Sequence, residues 1–341
     1  MDNEQRQLFW DKLCDLPGTN ALEEAKDLFA TIAYPKHIVR YRSVSTQSIN
    51  AMQNNQLFFS QPAYYDDPFD TFLHIDFEMI RRQLRNTADQ KELVLSFMEK
   101  LCQEWGVLTD KIREIIQMIS DAPTEKILDL FIDLMKNNIQ PLVRYASRSI
   151  CFAENELSEV MWMKYADQHR GFCLMFDLQN LQNMQCGKYD DCKSCDNYQN
   201  GFPLYPVCYS EERYDATEYS LQLLILASPA PMSEKFRATL LNSFKPLTWE
   251  STKVSLIKSK CHEYDQEWRI LSCSRQLEPK PLRWIPSGVV LGLRMSASDA
   301  SIVIDAAKNA GIRHIYQAYI DDTGKLSKQE ILCMQGNASA T

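Results

Sequence analysis

Apolar residues recur along the chain with two different periods, and the changes of period mark the elements. Residues 2–33 carry the spacing of two short helices divided by Leu16-Pro17-Gly18-Thr19, with Asn20 placed to cap the second. The alternating, β-branched stretch 37–43 (HIVRYRS) predicts a strand, and Ser45 and Thr46 then start a helix whose Ile49 and Met52 lie three apart. A second short strand is expected at 56–60 (QLFFS), ended by Gln61-Pro62. From Asp66 to about Ser147 the pattern is helical throughout. Ile112, Ile115, Ile116 and Ile119 form one apolar face; Ile127, Leu128, Phe131, Leu134 and Met135 form another. Strands return at 149–153 (SICFA), 171–177 (GFCLMFD), 204–210 (LYPVCYS) and 267–273 (EWRILSC). A helix is expected at 157–168, and two or three more across 214–260. Residues 178–203 are polar and cysteine-rich, which reads as a surface excursion.

Near the end, GVVLGL (288–293), a helix capped around Ser296 or Ser298 and stopped by Gly311, and HIYQAYI (314–320) form a strand–helix–strand unit. Such a unit favours parallel strands with a right-handed crossover. Strands on both sides of the helical block predict an α+β fold, a central mixed β-sheet with a large helical insertion and flanking helices. The expected organisation is an N-terminal helical segment over 1–36 and a single α+β domain over 37–335, with a flexible tail at 336–341. The insertion falls at about 70–147 and the Cys-bearing excursion at about 180–203.

A chain of 341 residues can bury a sizeable core without a disulfide or a metal. No run approaches ~18 apolar residues, the length of a membrane span. The first fifteen residues lack the basic-then-apolar pattern of a secretory signal. Eleven scattered cysteines, an odd number, then point to reduced thiols and a cytoplasmic location. A net charge of -8 argues against a general nucleic-acid footprint and leaves room only for a local basic cleft. Gly-rich phosphate loops, the G-x-S-x-G elbow and H-E-x-x-H are absent.

Four segments carry the chemistry: VRYRS (39–43), LFFSQPAYYDDPFD (57–70), CFAENELSEVMWMKYADQHRGFCLMFD (151–177) and EYDQEWRIL (263–271). Alternation puts Arg40 and Arg42 on one strand face and Tyr41 on the other; paired guanidiniums suit a phosphate or pyrophosphate, or else surface carboxylates. Asp66 or Asp67 can cap a following helix with Pro68 in its first turn, or else Ser60, Tyr64 and Tyr65 can wall a pocket where a flat ring stacks. Met161 and Trp162 read as core, whereas the Tyr165 hydroxyl needs a partner if buried. An extended 263–269 sets Glu263, Asp265, Glu267 and Arg269 on one face. It is either an edge-strand ion-pair ladder or a carboxylate cluster that a cation or a substrate must compensate.

In order and wording these segments resemble the bacterial domain of unknown function 2971 family. The residues that carry the resemblance are Tyr41 to Ser43, Leu57 to Ser60, Asp67 to Asp70, Met161, Trp162, Tyr165 and Ala166, Gly171 to Cys173, and Glu267 to Arg269. Asp66 stands where that family usually has Asn, and Asp265 where it usually has Glu. The set is also distantly similar to ADP-ribosyltransferases of the R-S-E class. That resemblance implies NAD as substrate, with Arg40, Arg42, Tyr41, Tyr65 and Tyr165 binding it. It further implies Glu267, Asp265 and Ser60 as the catalytic set, with Ser60 positioning the carboxylate. The implied activity is ADP-ribosyl transfer or NAD cleavage, in a bacterial toxin or anti-phage defence effector with a macromolecular acceptor and an inhibitory or defence-system partner. The alternatives are a Mg²⁺-dependent nuclease using Asp66, Asp67, Asp70 and Glu267, or a non-catalytic ligand-sensing module. Finally, Cys186, Cys192 and Cys195, with Cys208 beyond, have the spacing of a structural zinc knuckle or are free surface thiols.

Overall fold

The computed structural model describes residues 1–85, 124–179, 185–186, 204–227, 247–272 and 281–333, and in it the alternating segments become strands. In chain order these are β1 (His37–Arg42), β2 (Gln56–Leu57), β3 (Ser149–Phe152), β4 (Phe172–Asp177), β5 (Gln185–Cys186) and β6 (Leu204–Pro206). There follow β7 (Cys208–Ser210), β8 (Ile257–Ser259), β9 (Trp268–Leu271), β10 (Leu282–Arg283), β11 (Gly288–Leu291), β12 (His314–Ile320) and β13 (Leu326–Cys333). The central sheet is mixed and runs β1-β4-β11-β12-β13; only β11 and β12 are parallel neighbours, as the strand–helix–strand pattern requires. A second sheet, β3-β9-β6, is antiparallel with β9 in the middle.

Alternation decides what each face of the central sheet meets. Ile38, Phe172, Leu174, Phe176, Val289 and Ile315 point into the largest core. There they join Phe9 and Leu13 of helix Asn3–Asp15 and Val303 and Ala306 of helix Ala297–Asn309. The other face, with Val39, Tyr41, Cys173, Met175 and Val290, packs against Met161 and Trp162 of helix Glu159–Tyr165. The Trp162 indole is fully buried, meets the Tyr41 ring edge-on at 5.2 Å and donates from Nε1 to the Glu156 carbonyl at 2.9 Å. Its one polar atom is thereby satisfied without water. A separate core joins the insertion to the later helices: Leu73, Ile80, Ile127, Leu128, Phe131 and Met135 pack with Ala216, Tyr219 and Val254. Among the described residues no helix is long and apolar enough to cross a membrane.

Several boundaries differ from those expected. Only Gln56–Leu57 pairs as a ladder, and Ser60 makes an isolated bridge to Ser149. No helix begins at Asp66; the next one is Phe77–Arg85, whose Met79 amide donates to Asp76 Oδ1. Asp70, close to the expected caps, turns inward to the buried Arg269. Asn20 does not cap with its side chain; the Glu24 carboxylate turns back and accepts from the Gly18, Thr19 and Asn20 amides. The helix expected at 157–168 ends at Tyr165, where Asp167, Gln168 and His169 take left-handed φ values. Lys260–Asp265 is a 3₁₀ turn, so Glu263 and Asp265 are not on the strand that carries Arg269. The isoleucine face at 112–119 lies outside the described residues.

Candidate active site

The cleft begins where two strands part. Val39 and Ala153 exchange both backbone hydrogen bonds (2.8 and 2.9 Å), and among the described residues this pair joins the central sheet to β3-β9-β6. Past it β1 stays with β4 and β3 stays with β9. Between them lies a cavity of about 670 Å³, within the ~300–1,000 Å³ usual for small-molecule sites. Every residue expected to form the catalytic and NAD-binding set lines it: Arg40, Tyr41, Arg42, Ser60, Tyr65, Tyr165, Asp265 and Glu267.

One wall is cationic. Arg40 is only 9% exposed, yet its guanidinium has no hydrogen-bond or ion-pair partner among the described residues. Burial, and then repulsion from Arg42, pulls the Arg40 pKa well below the ordinary arginine value. Among the described residues Arg42 reaches only the Tyr41 carbonyl, at 3.5 Å, and neither arginine meets a carboxylate. A buried guanidinium without a counter-ion is costly, and an anion in the cavity would relieve it.

The facing wall is a chain of alternating charge. Arg269 holds Asp70 with two nitrogens (2.8 and 2.5 Å) and donates from Nε to Glu267 Oε1 at 2.7 Å. Lys258 donates to Glu267 Oε2 at 3.0 Å and to Asp265 Oδ2 at 2.6 Å. All of these side chains are buried. Burial opposes charge on Glu267, but attraction to Arg269 and Lys258 and the hydrogen bond from Arg269 outweigh it, holding the pKa far below the carboxylate range. Lys258 is held protonated by Glu267 and Asp265 against the same penalty. Glu267 is therefore a fixed negative charge inside the cleft. Both its oxygens and both oxygens of Asp70 are engaged by cations of the protein itself.

The remaining lining groups fill narrower roles. Tyr41 cannot reach a ligand with its hydroxyl, which donates to the Asn155 carbonyl at 2.6 Å. The Tyr65 hydroxyl pairs with Ser149 Oγ at 2.6 Å and accepts from the Cys151 thiol at 3.4 Å. Burial pushes Cys151 up to about 11 and Tyr165 up to about 12, so both stay protonated at neutral pH. Ser60 lines the cavity, but Glu267 is fixed by Arg269 and Lys258 rather than through Ser60, whose backbone pairs with Ser149. Tyr64 and Phe69 also line the cavity and are 75% and 57% exposed, offering rings to a ligand.

Lys258, Cys151 and His262 were not among the expected site residues. Two neighbouring carboxylates at 265 and 267 demand cations, and that demand was the available signal for Lys258. The zinc expectation mostly falls elsewhere. Cys192 and Cys195 lie outside the described residues, and Cys186 sits on β5 opposite Leu282. Cys208 is buried with its thiol donating to Gln7 Oε1 at 3.7 Å, and burial pushes its pKa up to about 11.

Residues 161–270 match the model of a family described as protein of unknown function (DUF2971). The matched stretch carries Trp162, Tyr165, Lys258, His262, Asp265, Glu267 and Arg269, the helix and the charged wall of the cleft. No curated protein and no solved structure matches the chain.

Proposed function

We propose that this cleft binds NAD and that the protein is an ADP-ribosyltransferase-like enzyme, transferring ADP-ribose or hydrolysing NAD. The observation that carries the proposal is the unpaired, buried Arg40 beside Arg42, facing a carboxylate that the fold keeps ionised. A pyrophosphate neutralises two guanidiniums at once, and bidentate contacts give it orientation as well as affinity. Glu267 then offers negative charge to the positive character that develops on a ribose carbon as nicotinamide leaves. Tyr64 and Phe69 supply faces for the heterocycles.

Calorimetric titration with NAD and an assay for released nicotinamide test this directly. Wild-type protein is expected to bind NAD and release nicotinamide. Arg40→Met should weaken NAD binding by ~10- to 100-fold, the worth of a charged hydrogen bond. Because Arg40 has no internal partner, the same variant should keep or raise its melting temperature. Wild-type protein that neither binds NAD nor releases nicotinamide would refute the proposal.

A further inference from the structure

One imidazole lines the cleft and stands outside the hydrogen-bonded chain of the facing wall. His262 lines the cavity on the 3₁₀ turn Lys260–Asp265, with its two ring nitrogens against different carboxylates. Nε2 lies 3.4 Å from Asp67 Oδ2, and Nδ1 lies 3.8 Å from Asp265 Oδ2. Nδ1 is buried without a hydrogen-bond partner, and so is Asp265 Oδ1. Asp265 itself is anchored by Lys258 at 2.6 Å. The Tyr264 ring tilts against the imidazole at 6.1 Å, and Lys164 donates to the Tyr264 hydroxyl. Loose contacts of this kind at a catalytic base commonly tighten when substrate arrives.

We infer that His262 is the general base of the reaction, taking the proton of the attacking hydroxyl at Nε2. This rests on the NAD reading of the same cleft. The hydroxyl oxygen, from water or an acceptor, forms a bond to C1′ of the nicotinamide ribose. The C1′–N bond breaks, its electron pair passes into the pyridinium ring, and neutral nicotinamide leaves. The hydroxyl proton moves to Nε2 and then to solvent. The imidazolium formed lies between Asp67 and Asp265, whose charges stabilise it. Four other lining groups are less suited to the role: Glu267 is held ionised by two cations, while Lys258, Cys151 and Tyr165 are held protonated.

The test compares wild type, His262→Gln and Asp67→Asn for NAD affinity, melting temperature and nicotinamide release between pH 5 and 9. Asp67→Asn keeps the oxygen that caps the Phe69 amide, so it should fold. His262→Gln should retain NAD affinity within about threefold while turnover falls ~100-fold, the low end for lost acid–base catalysis. The shape of its pH profile should differ from the wild type's, since a general base must be free of its proton before it can accept one. Asp67→Asn should lose less turnover and keep the wild-type shape. Nicotinamide release by His262→Gln at the wild-type rate, with an unchanged profile, would overturn the assignment and leave NAD cleavage standing. Failure of the wild type to release nicotinamide would overturn both.

Discussion

Glu267 is where structure and chemistry pull against each other. Its carboxylate is the internal counter-ion of Arg269 and Lys258 and also the charge that faces the ligand space. Removing that charge leaves two buried cations short of compensation, a change that costs about 3–5 kcal/mol when a buried pair is broken. Glu267→Gln is therefore expected to lower the melting temperature markedly. At a temperature where the variant is still folded, it should lose ~10²-fold in nicotinamide release. Full turnover in the folded variant would make Glu267 a purely structural ion-pair partner. Arg40 shows the opposite balance, because no described residue pairs with its charge. The pairing of one saturated carboxylate with one unsaturated guanidinium across a cavity is what separates a binding cleft from a structural salt-bridge network.

At the level of elements, the glycine between helix Glu159–Tyr165 and β4 sets the position of β1. A Cβ on Gly171 would meet the Arg42 carbonyl at 2.1 Å and the Ala166 carbonyl at 2.9 Å. Gly171→Ala must push β1 or the preceding turn aside, at ~1–3 kcal/mol for overpacking. It should also weaken NAD binding, because Arg42 moves with its backbone. A variant with unchanged melting temperature and affinity would show that this approach tolerates a methyl group. Elements with a clear period were legible in the sequence: β1, β4, β11, β12 and helix Ala297–Asn309 fall where alternation or helical spacing put them. The site residues on those elements, Arg40 and Arg42 above all, could be placed on a face in advance. Lys258 and His262 could not, because β8 is three residues long and the following turn has no repeat to read. Strand β13 was missed for a related reason: residues 326–332 are half-buried or exposed along an edge, so no apolar face announced it. The Asp70 ion pair was not legible locally, because its partner, Arg269, is 199 positions away.

For the molecule as a whole, carboxylates held ionised by partner cations make stability depend on pH in a definite direction. Burial opposes the charge on Glu156, but hydrogen bonds from His37 and Lys328 outweigh it and bring its pKa to about 2. In the unfolded chain the same group titrates near ~4.3. A depressed folded pKa contributes stability that is full above the unfolded value and is lost as pH falls toward the folded one. Glu267 acts in the same direction with a still lower folded pKa. Urea-unfolding midpoints should thus hold down to about pH 5 and fall steadily below it, and Glu156→Gln should flatten part of that slope. A midpoint independent of pH between 5 and 3 would contradict this account. The Val39–Ala153 pair also has a mechanical consequence. Ile150, Phe152, Trp268 and Ile270 of β3 and β9 lie in the same core as Ile38, Phe172 and Phe176 of the central sheet, and the Phe152 and Phe176 rings meet edge-on at 5.5 Å. A backbone bridge backed by that shared core holds the two sheets as one body. The walls of the cleft are therefore set before any ligand arrives, and little ordering entropy is left to oppose binding.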